Sequence, residues 1–256
     1  MTNNQKFIAF KTLFVREIKR IFRIWRQTFL PPLITQSLYF AIFGGVIGSQ
    51  IKSGSGSYTQ FLVPGIIFMS AITSSFSSNA FTIFSIKFQK SIEEIIISPT
   101  PNWIVIAAYT CSAIVRGFIT ASMILLVSLF FVKLEINNPL LAILSLLISC
   151  IMFAGLGIIS AMFSKTFDDV STIPVFILTP LTYLGGVFYD IKELQNPFKT
   201  ISEFNPIVYM VDLFRTSFRG IGNYNPSYSL CIISIITILI FSYVNYLWNK
   251  GFGLKN

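Results

Sequence analysis

Chemistry in this chain would have to come from a short roster of side chains. Acids stand in pairs at Glu93-Glu94 and Asp168-Asp169, hydroxyls crowd residues 70–82, and Arg116 interrupts a long apolar run. The 256 residues contain no histidine, which removes serine–histidine nucleophiles, histidine metal sites and histidine proton relays together. Cys111, Cys150 and Cys231 fall inside apolar stretches without paired spacing and read as small buried residues. No Gly-x-x-x-x-Gly-Lys-Ser/Thr loop is present, so the chain lacks that means of holding ATP. No metal and no cofactor is expected, and no enzyme activity. These polar residues suit recognition, packing and partner contact rather than bond-making.

The elements that position them are read from composition. The chain is 54% hydrophobic and 11% charged, against about a quarter charged in soluble domains, and its mean hydropathy is +0.72. The reading is an all-α integral membrane protein with six spans of ~20 residues and no room for a separate soluble domain. The net charge of +9 is not a nucleic-acid signature. Seven of the 19 basic side chains (Lys6, Lys11, Arg16, Lys19, Arg20, Arg23, Arg26) stand in residues 1–27 against the single acid Glu17. That gathers the charge at one end, as a membrane-surface feature.

Residues 6–26 form an amphipathic helix. At 100° per residue Phe7, Phe10, Phe14, Ile18, Ile21 and Trp25 share one face, with Arg16, Lys19, Arg20 and Arg23 opposite. Such a helix lies in the headgroup plane with its basic face toward anionic lipid or an acidic partner, or serves as a plain anchor. The basic region is too long, and a small-residue cleavage site too clearly missing, for a signal peptide. A transmembrane domain over 28–251 follows, with a cytoplasmic tail at 252–256. Its spans are placed at about 29–48, 61–86, 103–132, 140–163, 171–189 and 228–248. Pro31-Pro32 opens the first, and residues 51–58 form a short flexible loop. The second carries Ser74, Ser78 and Asn79 among its hydroxyls, which serve either helix packing or a polar pathway. A mid-span arginine is costly unless it faces protein or water, so Arg116 is a functional candidate unless an ion pair holds it.

Between spans two and three, residues 87–98 read as a short amphipathic helix across the membrane face. Phe88, Ile92, Ile95 and Ile96 are available there to a partner, flanked by Glu93 and Glu94, with Ser98-Pro99 as a stop. Asp168 and Asp169 precede span five and either cap it or meet a partner. Span five is apolar but broken by Pro174, Thr179-Pro180 and Gly185-Gly186, with Tyr183 between. Breaks of this kind survive in lipid beside other helices or a water-filled path. After it, Asn205-Pro206 opens a helix ending near Gly220, at ~21 Å too short to span, in which Asp212 and Arg215 can pair at i, i+3. The basic residues collect at the two ends and in the 87–98 and 164–170 loops, which the positive-inside rule assigns to the cytoplasm.

Four stretches in this order resemble the type 2 ATP-binding-cassette (ABC-2) exporter permeases over essentially the whole chain. They are Phe88-Gln-Lys-Ser-Ile-Glu-Glu94 with Ser98-Pro99, Lys165-Thr-Phe-Asp-Asp169, Pro180-Leu-Thr-Tyr-Leu-Gly-Gly-Val-Phe-Tyr189, and Asn205-Pro-Ile-Val-Tyr209 with Arg215. Overall length and wording are most similar to the YadH-like bacterial inner-membrane permeases. The resemblance implies a half-transporter. Two copies would associate, contact membrane lipid and dock two cytoplasmic ATPase subunits, with 87–98 as coupling helix, 6–26 as connecting helix and 164–170 as a smaller contact. Spans two and five would line the pathway, and the helix after Asn205 would be an outer half-helix. The rivals are a secondary transporter or channel acting alone, an intramembrane hydrolase, and a scaffold without transport. The first would show repeated halves and intramembrane acids, and the second needs catalytic residues absent from the spans.

With both termini inside, fluorescent-protein fusions at either end are expected to fluoresce and alkaline phosphatase fusions to be inactive. An active phosphatase at either end would overturn the orientation.

Overall fold

The computed structural model describes residues 1–47 and 58–253. The expected 51–58 loop falls outside them except for Tyr58, as do Gly48 at the end of span one and residues 254–256 of the tail. The chain is helical, with no strand among the described residues. Four helices are individually long and apolar enough to cross a membrane: Tyr58–Phe88, Asn102–Ser128, Pro139–Phe163 and Pro226–Lys250. The first and fifth expected spans are assembled from shorter pieces.

Helix α1 (Asn3–Arg23) starts in a capping box, in which the Thr2 hydroxyl accepts from the Gln5 amide and the Gln5 side chain returns to Thr2. It passes through Ile24 into α2 (Trp25–Tyr39), which continues as a π-helical stretch over Phe40–Ile47. Here the structure corrects the expected start of span one, because Pro31 and Pro32 lie inside α2 rather than in its first turn. A proline in a helix denies a donor to the carbonyl four residues earlier. The carbonyls of Gln27 and Thr28 are the ones affected.

Helix α3 (Tyr58–Phe88) is the axis of the fold, with 78% of its most apolar window buried. Lys90 adopts left-handed backbone (φ 59°) and turns the chain into α4 (Ser91–Ile97). A non-glycine residue in that region costs roughly 1–2 kcal/mol. Helix α5 (Asn102–Ser128) and helix α6 (Pro139–Phe163) flank α3, and α6 is capped by the Asn138 side chain with Pro139 at its first position. On the α6 side the Ser75 hydroxyl donates to the Cys150 carbonyl at 2.8 Å and the Asn79 amide to the Ala154 carbonyl at 3.1 Å. Gly157 allows this approach, since a methyl there would collide with the Phe76 carbonyl oxygen. Small residues and side-chain-to-carbonyl bonds hold helices together where lipid supplies no hydrophobic drive.

The fifth expected span, residues 171–189, falls on the end of α7 (Phe167–Ile173), a π turn over Pro174–Leu178, and α8 (Thr179–Leu184). Its interruption is a widened turn rather than an unwound segment. Pro180 cannot donate to Phe176, and the Thr179 amide reaches back five residues to the Pro174 carbonyl, which the Thr179 hydroxyl also meets at 3.0 Å. The winding stops at Gly185, and Gly186 (φ 75°) reverses the chain. From Phe167 to Leu184 the rise is roughly 27 Å.

A 3₁₀ turn (Ile191–Glu193) and α9 (Phe198–Glu203) lead to α10 (Pro206–Arg219), capped by Asn205 and stopped by Gly220 at φ 73° as expected. The expected Asp212–Arg215 pair is replaced by two separate sets of bonds. Asp212 accepts the backbone amides of Asn223 and Tyr224 at 3.0–3.1 Å. Arg215 donates to the carbonyls of Phe61, Gly186 and Val187 and stacks on the Phe61 ring at 3.7 Å. Both side chains are buried, so each takes the backbone partners within reach. Helix α11 (Pro226–Lys250) closes the bundle at its edge, with only 17% of its most apolar window buried.

A Gly157→Ala variant is expected to cost about 1–3 kcal/mol through overpacking of α3 on α6. At about 2–4 °C per kcal/mol a thermal melt in detergent resolves it, and an unchanged melting temperature would refute the close-packing account.

Candidate functional site

A groove of about 530 Å³ runs between α1, α2, α3 and α5. Its α3 wall is one helical stripe from Met69 and Ser70 through Thr73, Ser74, Ser77 and Ser78 to Phe81 and Ser85. Sixteen rises of 1.5 Å from Met69 to Ser85 give the groove a length of roughly 24 Å. Facing it are Arg20, Gln27, Thr28, Pro32 and Gln36 from α1 and α2, and Arg116 from α5. The lining contains no acid. The polar residues of α3 therefore divide between the two uses open to them. Ser75 and Asn79 bind α6, while Ser78 lines the groove and Ser74 does so while sharing a 2.9 Å hydrogen bond with Thr120 of α5.

Helix α1 closes this groove with the face expected to meet lipid. Arg16 donates to the Tyr109 hydroxyl at 2.7 Å, and Arg20 donates to the Thr82 hydroxyl. Between them Glu17 is buried and pairs with Arg20 at 2.9 Å and Arg16 at 3.4 Å. Of the apolar face, Phe7 and Trp25 are exposed, Phe10, Phe14 and Ile18 are half-buried and Ile21 is buried. The expectation of an outward basic face is thus corrected for Arg16 and Arg20. A lone acid flanked by arginines on a basic face carries the signal, since such a carboxylate pairs and draws its partners inward.

At the α4 end, Lys87 donates to the carbonyls of Met162 (3.2 Å) and Ser164 (2.7 Å) at the close of α6. Phe167 packs between Phe84 and Phe88, at 4.8 and 5.1 Å between ring centroids. These contacts join the 87–98 and 164–170 segments into one surface. On it Phe88, Glu93, Glu94, Ile97, Asp168 and Asp169 are exposed. Ile92 is instead buried and Ile95 and Ile96 are half-buried, because a seven-residue helix needs an anchored face to keep its place. Asp169 accepts the Lys165 and Thr166 amides at 2.8 and 2.9 Å. The Lys165 bond first, then that of Thr166, holds its carboxyl below the ordinary 3.8. This cap contributes above that pH and is lost as pH falls through the lowered value.

The span-five candidates lie elsewhere. Thr179 serves its own π turn, Pro180 and Tyr183 are exposed, Gly185 packs against Ile207 and Gly186 makes the reversal. None of them lines the groove. Tyr183 instead joins Phe188, Tyr39 and Phe43 in an aromatic cluster with ring separations of 5.3–6.0 Å. Tyr39 stands one turn beyond Gln36 in α2, past the end of the groove lining.

Residues 8–218 match the family model described as ABC-2 type transporter. The chain belongs to the ABC-2 type transporter family. It is 40% identical to the inner membrane transport permease YadH of Escherichia coli K12 over 98% of both chains. More distantly, it is 22% identical to the polysialic acid transport protein KpsM of Escherichia coli over 91% of this chain and 89% of that one. Nodulation protein J of Rhizobium leguminosarum bv. viciae is 21% identical over 87% of each. Membership of a transport permease family agrees with the absence of histidine and of a phosphate loop.

Removing Arg20 leaves the buried Glu17 carboxylate with Arg16 alone, at 3.4 Å. Arg20→Ala is expected to destabilise by about 1–3 kcal/mol, discounted from a fully buried pair because Arg20 is about one-third exposed. Glu17→Gln in that background should restore most of the loss in a double-mutant cycle followed by thermal melts. Additive losses would contradict the pairing.

Proposed function

We propose that this chain is the membrane subunit of an ATP-driven exporter that moves an amphiphilic substrate outward across the bacterial inner membrane. In this reading it crosses the membrane six times with both termini in the cytoplasm. It pairs with a second copy around a two-fold axis and draws on a separate cytoplasmic ATPase. The observation that carries the proposal is the joined surface of α4 and the 164–170 loop. It presents the apolar side chains Phe88, Phe167 and Ile97 among four exposed carboxylates, and it is tied to the end of α3 by Lys87 and Phe84. An apolar anchor ringed by charge is the anatomy of a docking site.

Motion imposed there has a direct route inward. Helix α4 joins α3 through the single turn at Lys90, and α3 carries the groove on one face while its other face is bonded to α6. Closure of the ATPase pair would push α4 as a lever and shift α3 against α1, α2 and α5. The aromatic cluster of Tyr39, Phe43, Tyr183 and Phe188 would keep the far end shut until that shift occurs. Together with the exposed face of span five, this supports alternating access between the groove and an outer exit.

Affinity purification of the tagged chain from its native membranes is expected to bring down a stoichiometric subunit with a phosphate loop. Combined Ile97→Ala, Glu93→Lys and Glu94→Lys changes should release that subunit without lowering the melting temperature, because all three residues are exposed. A chain that purifies alone as a stable assembly would sink the ATP-driven reading and favour a self-contained transporter.

A further inference from the structure

Two arginines set inside the bundle, the buried Arg215 and the half-buried Arg116, are treated very differently. Arg215 has three backbone carbonyls and an aromatic face around its guanidinium. Arg116, on the groove wall, makes no ion pair and no side-chain hydrogen bond among the described residues, and its Nε is sealed from solvent without a partner. Two further groove residues share this condition, since Thr28 Oγ1 and Gln36 Oε1 are buried and unpartnered. A guanidinium in a low-dielectric bundle is costly to leave uncompensated. Water in a groove of about 530 Å³ solvates that charge but does not neutralise it. Every acid that might do so is missing from the lining, and the one nearby carboxylate, Glu17, is engaged by Arg20 and Arg16.

We infer that the groove is an oxyanion site in which Arg116 holds a phosphoryl group, with Arg20 drawing it in. The guanidinium fork matches phosphoryl oxygens in two parallel hydrogen bonds. The hydroxyls of Thr28, on α2, and Ser77, on α3, supply further donors into the same groove. Arg20 is fixed to Thr82, two helical turns from Ser74 along α3, so the positive field extends from the α4 end of the groove toward Arg116. The phosphoryl group can belong to a lipid headgroup or arrive free, and the site chemistry is the same for both. Calling the ligand a transported substrate rests on the function proposed above. Binding itself needs neither ATP nor a partner, so failure to recover an ATPase leaves this inference standing.

The test uses the purified full-length protein in neutral detergent, with dioctanoyl phosphatidylglycerol, dioctanoyl phosphatidylcholine and inorganic phosphate as probes. Thermal melts and native mass spectrometry give the readout. The anionic lipid is expected to raise the melting temperature where the zwitterionic lipid does not. Arg116→Gln should weaken its binding at least tenfold, and Arg116→Lys should do so less. Without ligand, Arg116→Gln should melt no lower than the unaltered protein, whereas Arg215→Gln should melt lower, which separates a ligand-binding arginine from a structural one. Protection by inorganic phosphate that Arg116→Gln abolishes would assign a free oxyanion, and protection by the lipid alone would assign a headgroup. Undiminished lipid binding by Arg116→Gln, no preference for the anionic lipid, or no binding of either anionic probe would overturn the inference.

Discussion

The structure depends on α3 being bonded on two sides by different means. Lipid gives apolar helices no reason to prefer one another, so α3 and α6 are held by close backbone approach at Gly157 and by Ser75 and Asn79 reaching carbonyls across the gap. On the opposite face the Ser74 and Thr82 hydroxyls meet the side chains of Thr120 and Arg20, and the stripe around them leaves a polar groove. A single helix therefore serves as both the fixed wall of the bundle and the wall of its cavity. The same residue types, one helical face apart, have opposite uses.

Charge follows the same economy of partners. Arg16, Glu17 and Arg20 bring α1 against α5 and α3 through a three-residue network centred on the buried Glu17. Lys87 quiets the exposed carbonyls at the close of α6, where a cation is also favoured by the helix dipole. Asp212 and Arg215 bind backbone on either side of α10. In each case an ionised group is spent on main-chain or hydroxyl partners at a junction between elements. Arg116 stands apart because it has none.

Much of this was legible in the sequence. The apolar runs marked α3, α5, α6 and α11, the Asn205-Pro206 cap marked α10, and the ordered motifs marked the family. The failures have physical causes. Helical periodicity assigns a face but not its direction, so the basic side of α1 is expected to look outward, whereas Arg16 and Arg20 turn to Tyr109 and Thr82 beside the buried Glu17 while Lys19 and Arg23 stay exposed. Ile92 reads as an available apolar residue until the helix it belongs to must be anchored. Pro31-Pro32 suggests a helix start, yet Trp25–Leu30 already winds, and the prolines merely silence two donors. The π turn in span five follows from Pro180, but its width follows from Thr179 reaching Pro174, a preference no hydropathy pattern carries.

The Arg215 contacts bear on how the molecule can move. One guanidinium holds the end of the fifth span, through Gly186 and Val187, to α10 and to the first turn of α3, through Phe61. Separating any of these bodies would strand a buried cation and three carbonyls at once. They therefore travel together, and rotation of the fifth span must be absorbed elsewhere along it. The π turn at Pro174–Leu178 is the compliant place, since its ladder is already stretched to five residues and broken at Pro180. The clamp at one end turns that turn into the hinge.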